Sequence, residues 1–143
     1  MNDRTPFLTP LRRIATPGGD VMHAIKAVED SFVGFGEAYF STVEMGAVKG
    51  WKRHNRMTLN LVVPVGVVEF IVYDPEAAEE QRFRCFTIGP DENYARLTVP
   101  PGLWMAFTGR KDGLNLVLNV ASIGHDPDEA DRADFDAFPW TFA

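Results

Sequence analysis

The chain has 143 residues, a net charge of -6 at pH 7, 45% hydrophobic side chains and 11 Phe, which fits one globular domain with a real core and excludes a disordered chain. The acidic balance argues against a general nucleic-acid or anionic-membrane binder, and no run of about 18 apolar residues exists to span a bilayer as a helix. Cys85 is the single cysteine, so no intrachain disulfide can form and a cytoplasmic setting is expected.

Residues 1–20 are polar and broken by Pro6, Pro10, Pro17 and Gly18-Gly19. They are expected to form an extended N-terminal arm with one short strand at Leu11 to Ala15, ahead of a single domain over residues 21–143. Val21 to Val28 fits a strand or a helical turn, and strand is chosen. Phe32 to Val43 is aromatic, β-branched and punctuated by Gly, which favours strand. Val67 to Asp74, Arg82 to Ile88, Ala95 to Val99, Leu103 to Thr108 and Leu114 to Ala121 read as further strands. Between them lie an acidic loop or helical turn at Pro75 to Gln81, turns at Gly89 to Asn93 and Gly109 to Gly113, and a Pro100-Pro101-Gly102 corner. The tail from His125 is expected to be a loop with a short helix at Pro127 to Ala133, closing on Phe138-Pro139-Trp140-Thr141-Phe142. Eight or nine short strands predict an all-β sandwich or barrel, best matched by a double-sheet jelly roll of the cupin type.

The most informative stretch is Val48 to Gly66. Its first half gathers Lys49, Lys52, Arg53, His54 and Arg56; its second half is an apolar strand closed by Pro64 and Gly66. In extended chain, side chains two apart share a face, so Lys52, His54 and Arg56 point one way and Trp51 and Arg53 the other. The cluster is either a solvated strand end or the lining of an anion pocket. Glu37, Tyr39 and Asn60 alternate with apolar neighbours and are candidates for the same cavity. Trp104 is a candidate for stacking on a base or sugar, and Asn119 for a polar contact from a late strand.

Metal-binding cupins carry H-x-H, then Glu, then a Gly at a strand turn, and later P-x-G-x-x-H. Here Lys52-Arg53-His54 takes the first place, Thr58 or Leu59 the Glu place, and Pro100 to Met105 the last. Three of the four ligand positions hold no ligand and Lys52 would repel a cation, so no metal is expected. Two cations flanking an imidazole suit a diphosphate or carboxylate instead. The same cations favour a neutral His54, able to act as a general base.

From Leu11 to Trp140 the chain resembles the RmlC-like cupins of nucleotide-sugar metabolism, the dTDP-4-dehydrorhamnose 3,5-epimerases and dTDP-sugar 3,4-ketoisomerases. The resemblance rests on Gly34 to Ser41, Lys49-Gly50-Trp51-Lys52-Arg53-His54, the Val99 to Leu103 corner, Asp126-Pro127 and Pro139-Trp140. The epimerase signature R-G-L-H has Lys49 in its Arg place, Gly50 kept and Lys52 in its His place. In the ketoisomerase pattern R-G-x-H-A-H, His54 matches the second His. The late strand offers Asn119 and no tyrosine for the epimerase acid.

The resemblance implies proton transfer beside the 4-keto group of a dTDP-linked deoxysugar, with no metal or other cofactor. His54 is then the base, Lys52 stabilises the enolate oxygen, and Lys49 and Arg56 hold the diphosphate. Asn60, Glu37, Tyr39, Trp104 and Asn119 complete the substrate-binding set. The alternative is a non-catalytic sugar- or nucleotide-binding cupin of a glycan pathway. Exposed sheet edges and the extended arm lead to the expectation of a homodimer.

Overall fold

The computed structural model describes residues 4–143. Twelve strands run in chain order: β1 (Phe7–Pro10), β2 (Arg13–Thr16), β3 (Gly19–Met22), β4 (Glu37–Thr42), β5 (Val48–His54), β6 (Leu59–Val65), β7 (Val68–Tyr73), β8 (Phe83–Ile88), β9 (Ala95–Val99), β10 (Trp104–Gly109), β11 (Leu116–Ala121) and β12 (Ala130–Arg132). Two five-stranded antiparallel sheets, β1-β9-β6-β11-β4 and β12-β5-β10-β7-β8, form the two layers of a jelly roll, with β2-β3 as a separate hairpin. The all-β cupin architecture expected from the sequence is the one observed.

The core follows from alternation. Leu59, Leu61 and Val63 on β6, Phe70 and Val72 on β7, and Leu97 and Val99 on β9 turn inward and are almost fully buried. Burial at this level contributes about 1.5–3 kcal/mol per large side chain. A second cluster lies on the other face of the second sheet. There the tail lays Phe135, Phe138, Trp140 and Phe142 over Trp51, Ile71 and Ala106. The Trp51 indole N–H donates to the Phe135 carbonyl at 2.9 Å, which pins the tail to the middle of β5.

Four local expectations change. Within the expected arm, residues 7–10 form β1 along β9, and the next strand is β2 at Arg13–Thr16 rather than Leu11 to Ala15. The strand expected at Val21 to Val28 stops at Met22, where the chain lifts off to run across the outside of the first sheet. Arg96, Tyr94 and Asn60 fix that segment by donating to the carbonyls of Ala24, His23 and Ser31. Only Glu37–Thr42 of the long aromatic stretch is strand. In place of the helix expected at Pro127 to Ala133, the tail holds a 3-10 turn at Pro127–Glu129 and then strand β12, because the Asp126 side chain caps the turn and Ala130 returns to extended backbone beside His54; a second 3-10 turn follows at Phe135–Ala137.

Candidate active site

A cavity of about 770 Å³ opens between the two sheets. Leu59, Leu61, Met105, Phe107 and Val117 form its apolar wall, and the basic strand β5 forms its polar one. Lys52 and His54 share the inward face of β5, while Trp51 is only 1% exposed on the opposite face beneath the tail. Lys49 is out of phase with Lys52 under strict alternation, yet it lines the same cavity. The cause is a bulge. Between the pairs Phe107↔Lys49 and Met105↔Lys52, β5 advances 52 − 49 = 3 residues while β10 advances 107 − 105 = 2. Gly50 sits in the bulge at φ +132°, and a Cβ there would lie 2.6 Å from the Ala106 Cα.

The feature that chemistry needs most is beyond the reach of local pattern. Glu129, 3% exposed, presents one carboxylate oxygen to Nδ1 of His54. Its other oxygen accepts the backbone N–H groups of Asn55, Arg56 and Met57 at 3.1, 3.0 and 3.2 Å. The carboxylate therefore holds the imidazole with its proton on Nδ1, leaving Nε2 as the nitrogen open to the cavity. Burial by itself would raise the Glu129 pKa. The hydrogen bonds from His54 and from the Arg56 and Met57 N–H groups outweigh it and hold the group below the ordinary value.

Strand β12 and the residues that follow it bring two more charges that sequence reasoning missed. Arg132 stands directly across from Lys52, and Arg132 and Asp134 both line the cavity. Burial first, and the Arg132 charge second, lower the Lys52 pKa from its ordinary range, against an opposing pull from Glu129. On the facing sheet, β4 contributes Tyr39 and Ser41 to the cavity. The Tyr39 hydroxyl accepts a hydrogen bond from the Asn119 amide at 3.0 Å, so its own proton is left to donate into the cavity.

The expected set thus divides. His54, Lys52, Lys49, Tyr39 and Asn119 are brought together around one cavity. Arg56, Asn60, Glu37 and Trp104 do not line it. Strand β5 ends at His54, so alternation no longer governs Arg56, whose side chain is 60% exposed and paired with Asp126 at 2.7 Å. Asn60 lies on the outer face of β6, donating to the Ser31 carbonyl and accepting from Thr98. Glu37 shares the inward face of β4 with Tyr39 but lies past the cavity end. Trp104 faces the tail, with the Arg53 guanidinium 4.7 Å from its ring centroid. Among the described residues no group of three or more His, Cys, Asp or Glu side chains is placed to hold a metal ion.

These features define a jelly-roll cupin whose cavity carries a histidine–carboxylate pair and cations. A crystal structure of a dTDP sugar isomerase from Desulfovibrio desulfuricans G20 is 38% identical, with a TM-score of 0.89, over 95% of this chain and 89% of that one. The chain belongs to the RmlC-like cupin family. Two more distant structures share the fold. A sugar 3,4-ketoisomerase from Thermoanaerobacterium thermosaccharolyticum in complex with TDP is 18% identical, with a TM-score of 0.75, over 95% of this chain and 92% of that one. A dTDP-4-dehydrorhamnose 3,5-epimerase from Sulfolobus tokodaii is 14% identical, with a TM-score of 0.77, over 96% and 81%. No protein-family model matches the chain, and no curated protein does.

Proposed function

We propose that the protein is an isomerase that moves a proton beside the keto group of a dTDP-linked 4-keto-deoxysugar. The carrying observation is the His54–Glu129 pair, buried at the wall of a cavity that also holds unneutralised positive charge. A base poised with Nε2 free and a tautomer fixed from behind is what α-proton abstraction requires. The dTDP sugar isomerase that is 38% identical names the ligand class.

The ligand fits by dimension and charge. Lys49 and Lys52 stand across from Phe107 and Met105, which puts them roughly 7 Å apart along the cavity wall, near the separation of a hexose C4 carbonyl from its anomeric diphosphate. The diphosphate is assigned to Lys49, the sugar ring to the space beside His54, and its carbonyl to Lys52. Tyr39, on the opposite sheet from His54, is the acid for the other face of the ring. It supplies from β4 the hydroxyl that β11 lacks. Asn119 keeps that hydroxyl oriented.

The working form is a homodimer in the cytoplasm. Among the described residues strand β4 is an unpaired edge carrying Phe40 at 64% exposure, with Phe35 at 63% nearby, and a second copy would cover this apolar edge. Sedimentation analysis is expected to give twice the chain mass. No described helix is long and apolar enough to cross a membrane.

Incubation with dTDP-4-keto-6-deoxyglucose, followed by chromatography and NMR of the sugar, tests the activity. A new epimer or keto isomer is expected, formed at a rate that collapses in His54→Asn. Binding without conversion would make the protein a nucleotide-sugar-binding cupin, and absence of both would remove the ligand assignment.

A further inference from the structure

The two flanks of β5 differ in kind. On one side β10 sets Met105 across from Lys52 and Phe107 across from Lys49. On the other side β12 sets Arg132 across from Lys52. Past β12 the pairing continues, with Trp51 and Ala133 exchanging two N–H···O bonds of 3.1 Å, so Asp134 comes level with Gly50, between Lys52 and Lys49. Met105, Phe107, Arg132 and Asp134 all line the cavity. A ligand lying along β5 therefore meets an apolar flank on one edge and a charged flank on the other.

The charged flank is not spent on the fold. Among the described residues the side chains of Lys52, Arg132 and Asp134 make no hydrogen bond and no ion pair. Neighbouring carboxylates are committed elsewhere. Asp131 faces away and pairs with Arg53 at 2.7 Å, and Glu129 is held by His54 and three backbone N–H groups. Arg132 and Lys52 are like charges directly across a strand pair, which costs stability unless an electronegative group comes between them.

We propose that Arg132 and Asp134 read the hydroxyl-bearing edge of the sugar, Arg132 at the oxygen on C3 and Asp134 at the oxygen on C2, and that this makes C3 the carbon that loses its proton. The inference rests on the ligand and placement proposed above and names the reacting carbon. With the C4 carbonyl at Lys52 and the diphosphate at Lys49, C3 and C2 follow one another along one ring edge in the order in which Arg132 and Asp134 follow one another. The other edge carries the ring oxygen and the methyl group, which suit Met105 and Phe107. The reverse placement would bury two hydroxyls against apolar side chains. When His54 Nε2 accepts the C3 proton, the C–H pair becomes the C3=C4 bond and the carbonyl π pair moves to O4. The charge then lies between Lys52 and Arg132, whereas charge spread toward C5 would meet only Met105 and Phe107. Return of a proton to carbon reverses the electron flow, so nothing is oxidised or reduced.

The test compares dTDP-4-keto-6-deoxyglucose with its 3-deoxy analogue in deuterated water, followed by NMR with wild type and Arg132→Gln. Deuterium is expected at C3 and not at C5 above the protein-free rate. Arg132→Gln should slow exchange of the parent sugar about 10- to 100-fold and leave the analogue, already slow with the wild type, at the wild-type rate. Binding of dTDP alone should be the same for both proteins, which a loss of fold would not allow. Exchange confined to C5, an equal slowing of both sugars by the substitution, or loss of dTDP binding in the variant would overturn the assignment while leaving the proton-transfer function standing. Failure of the sugar nucleotide to bind the wild type would overturn both.

Discussion

A carboxylate behind an imidazole decides which ring nitrogen can act, and at residue scale this is the function of Glu129. Glu129→Gln keeps the side-chain shape and one acceptor for the backbone N–H groups, but it can turn an amide N–H toward Nδ1. That favours the tautomer protonated at Nε2, which cannot accept the sugar proton. The expected loss is about 10²- to 10⁴-fold in kcat with little change in KM, measured by steady-state turnover. The same carboxylate sets an acid limb. Its native pKa lies below its ordinary value of 4.5, so the unfolded chain binds the proton more readily. Stability from this group is present above the ordinary value and is lost as pH falls through the lowered native one. Urea midpoints followed downward from pH 5 should therefore fall in the wild type more steeply than in Glu129→Gln. His54 was legible because it ends a basic strand. Glu129 was not, since 75 positions separate the partners and it stands in an acidic stretch after Pro127 that resembles any solvated loop.

At element scale, β5 supplies the chemistry, and its bulge places Lys49 on the same wall as Lys52. Gly50→Ala would drive a Cβ to 2.6 Å from both Cα and Cβ of Ala106 and 2.8 Å from the Met105 carbonyl oxygen, at a positive φ that suits glycine. A loss of about 2–4 kcal/mol is expected from overpacking and backbone strain together, read from chemical denaturation midpoints. Affinity for dTDP should fall with it, as Lys49 shifts on the strand. Strict two-residue alternation explains Lys52, His54 and Trp51. It fails at Arg56, where the strand has ended, and it cannot see the bulge at Gly50, which depends on the close approach of β10. Asn60 alternates as cleanly as Tyr39, but which face of each strand looks inward is set by the assembled sheet, so pattern alone could not separate them.

At the scale of the whole molecule, the tail joins the two faces of the second sheet. Its aromatics cover Trp51 on the outside, and the segment just before them delivers Glu129 to His54 and Arg132 to the cavity inside. Phe138 holds this arrangement: its ring centroid lies 5.3 Å from Trp51, 4.5 Å from Tyr73 and 5.2 Å from Trp104. Phe138→Ala should lower stability by about 2–4 kcal/mol and weaken turnover as the tail loosens, seen as a loss of near-UV circular dichroism and of kcat together. The jelly roll itself was legible from strand count, turn residues and the Pro-Pro-Gly corner, because those are local. The tail's closing aromatics announced a packing role, while the strand β12 ahead of them did not, being three residues long and stabilised by its partner β5. Proton abstraction by His54 Nε2 is tested most directly by following dTDP-4-keto-6-deoxyglucose in deuterated water by NMR, with wild type and His54→Asn side by side. Deuterium is expected at a carbon next to the carbonyl with the wild type and not with the variant. A bound sugar that keeps all its carbon-bound protons, or a variant that exchanges them at the wild-type rate, would contradict it.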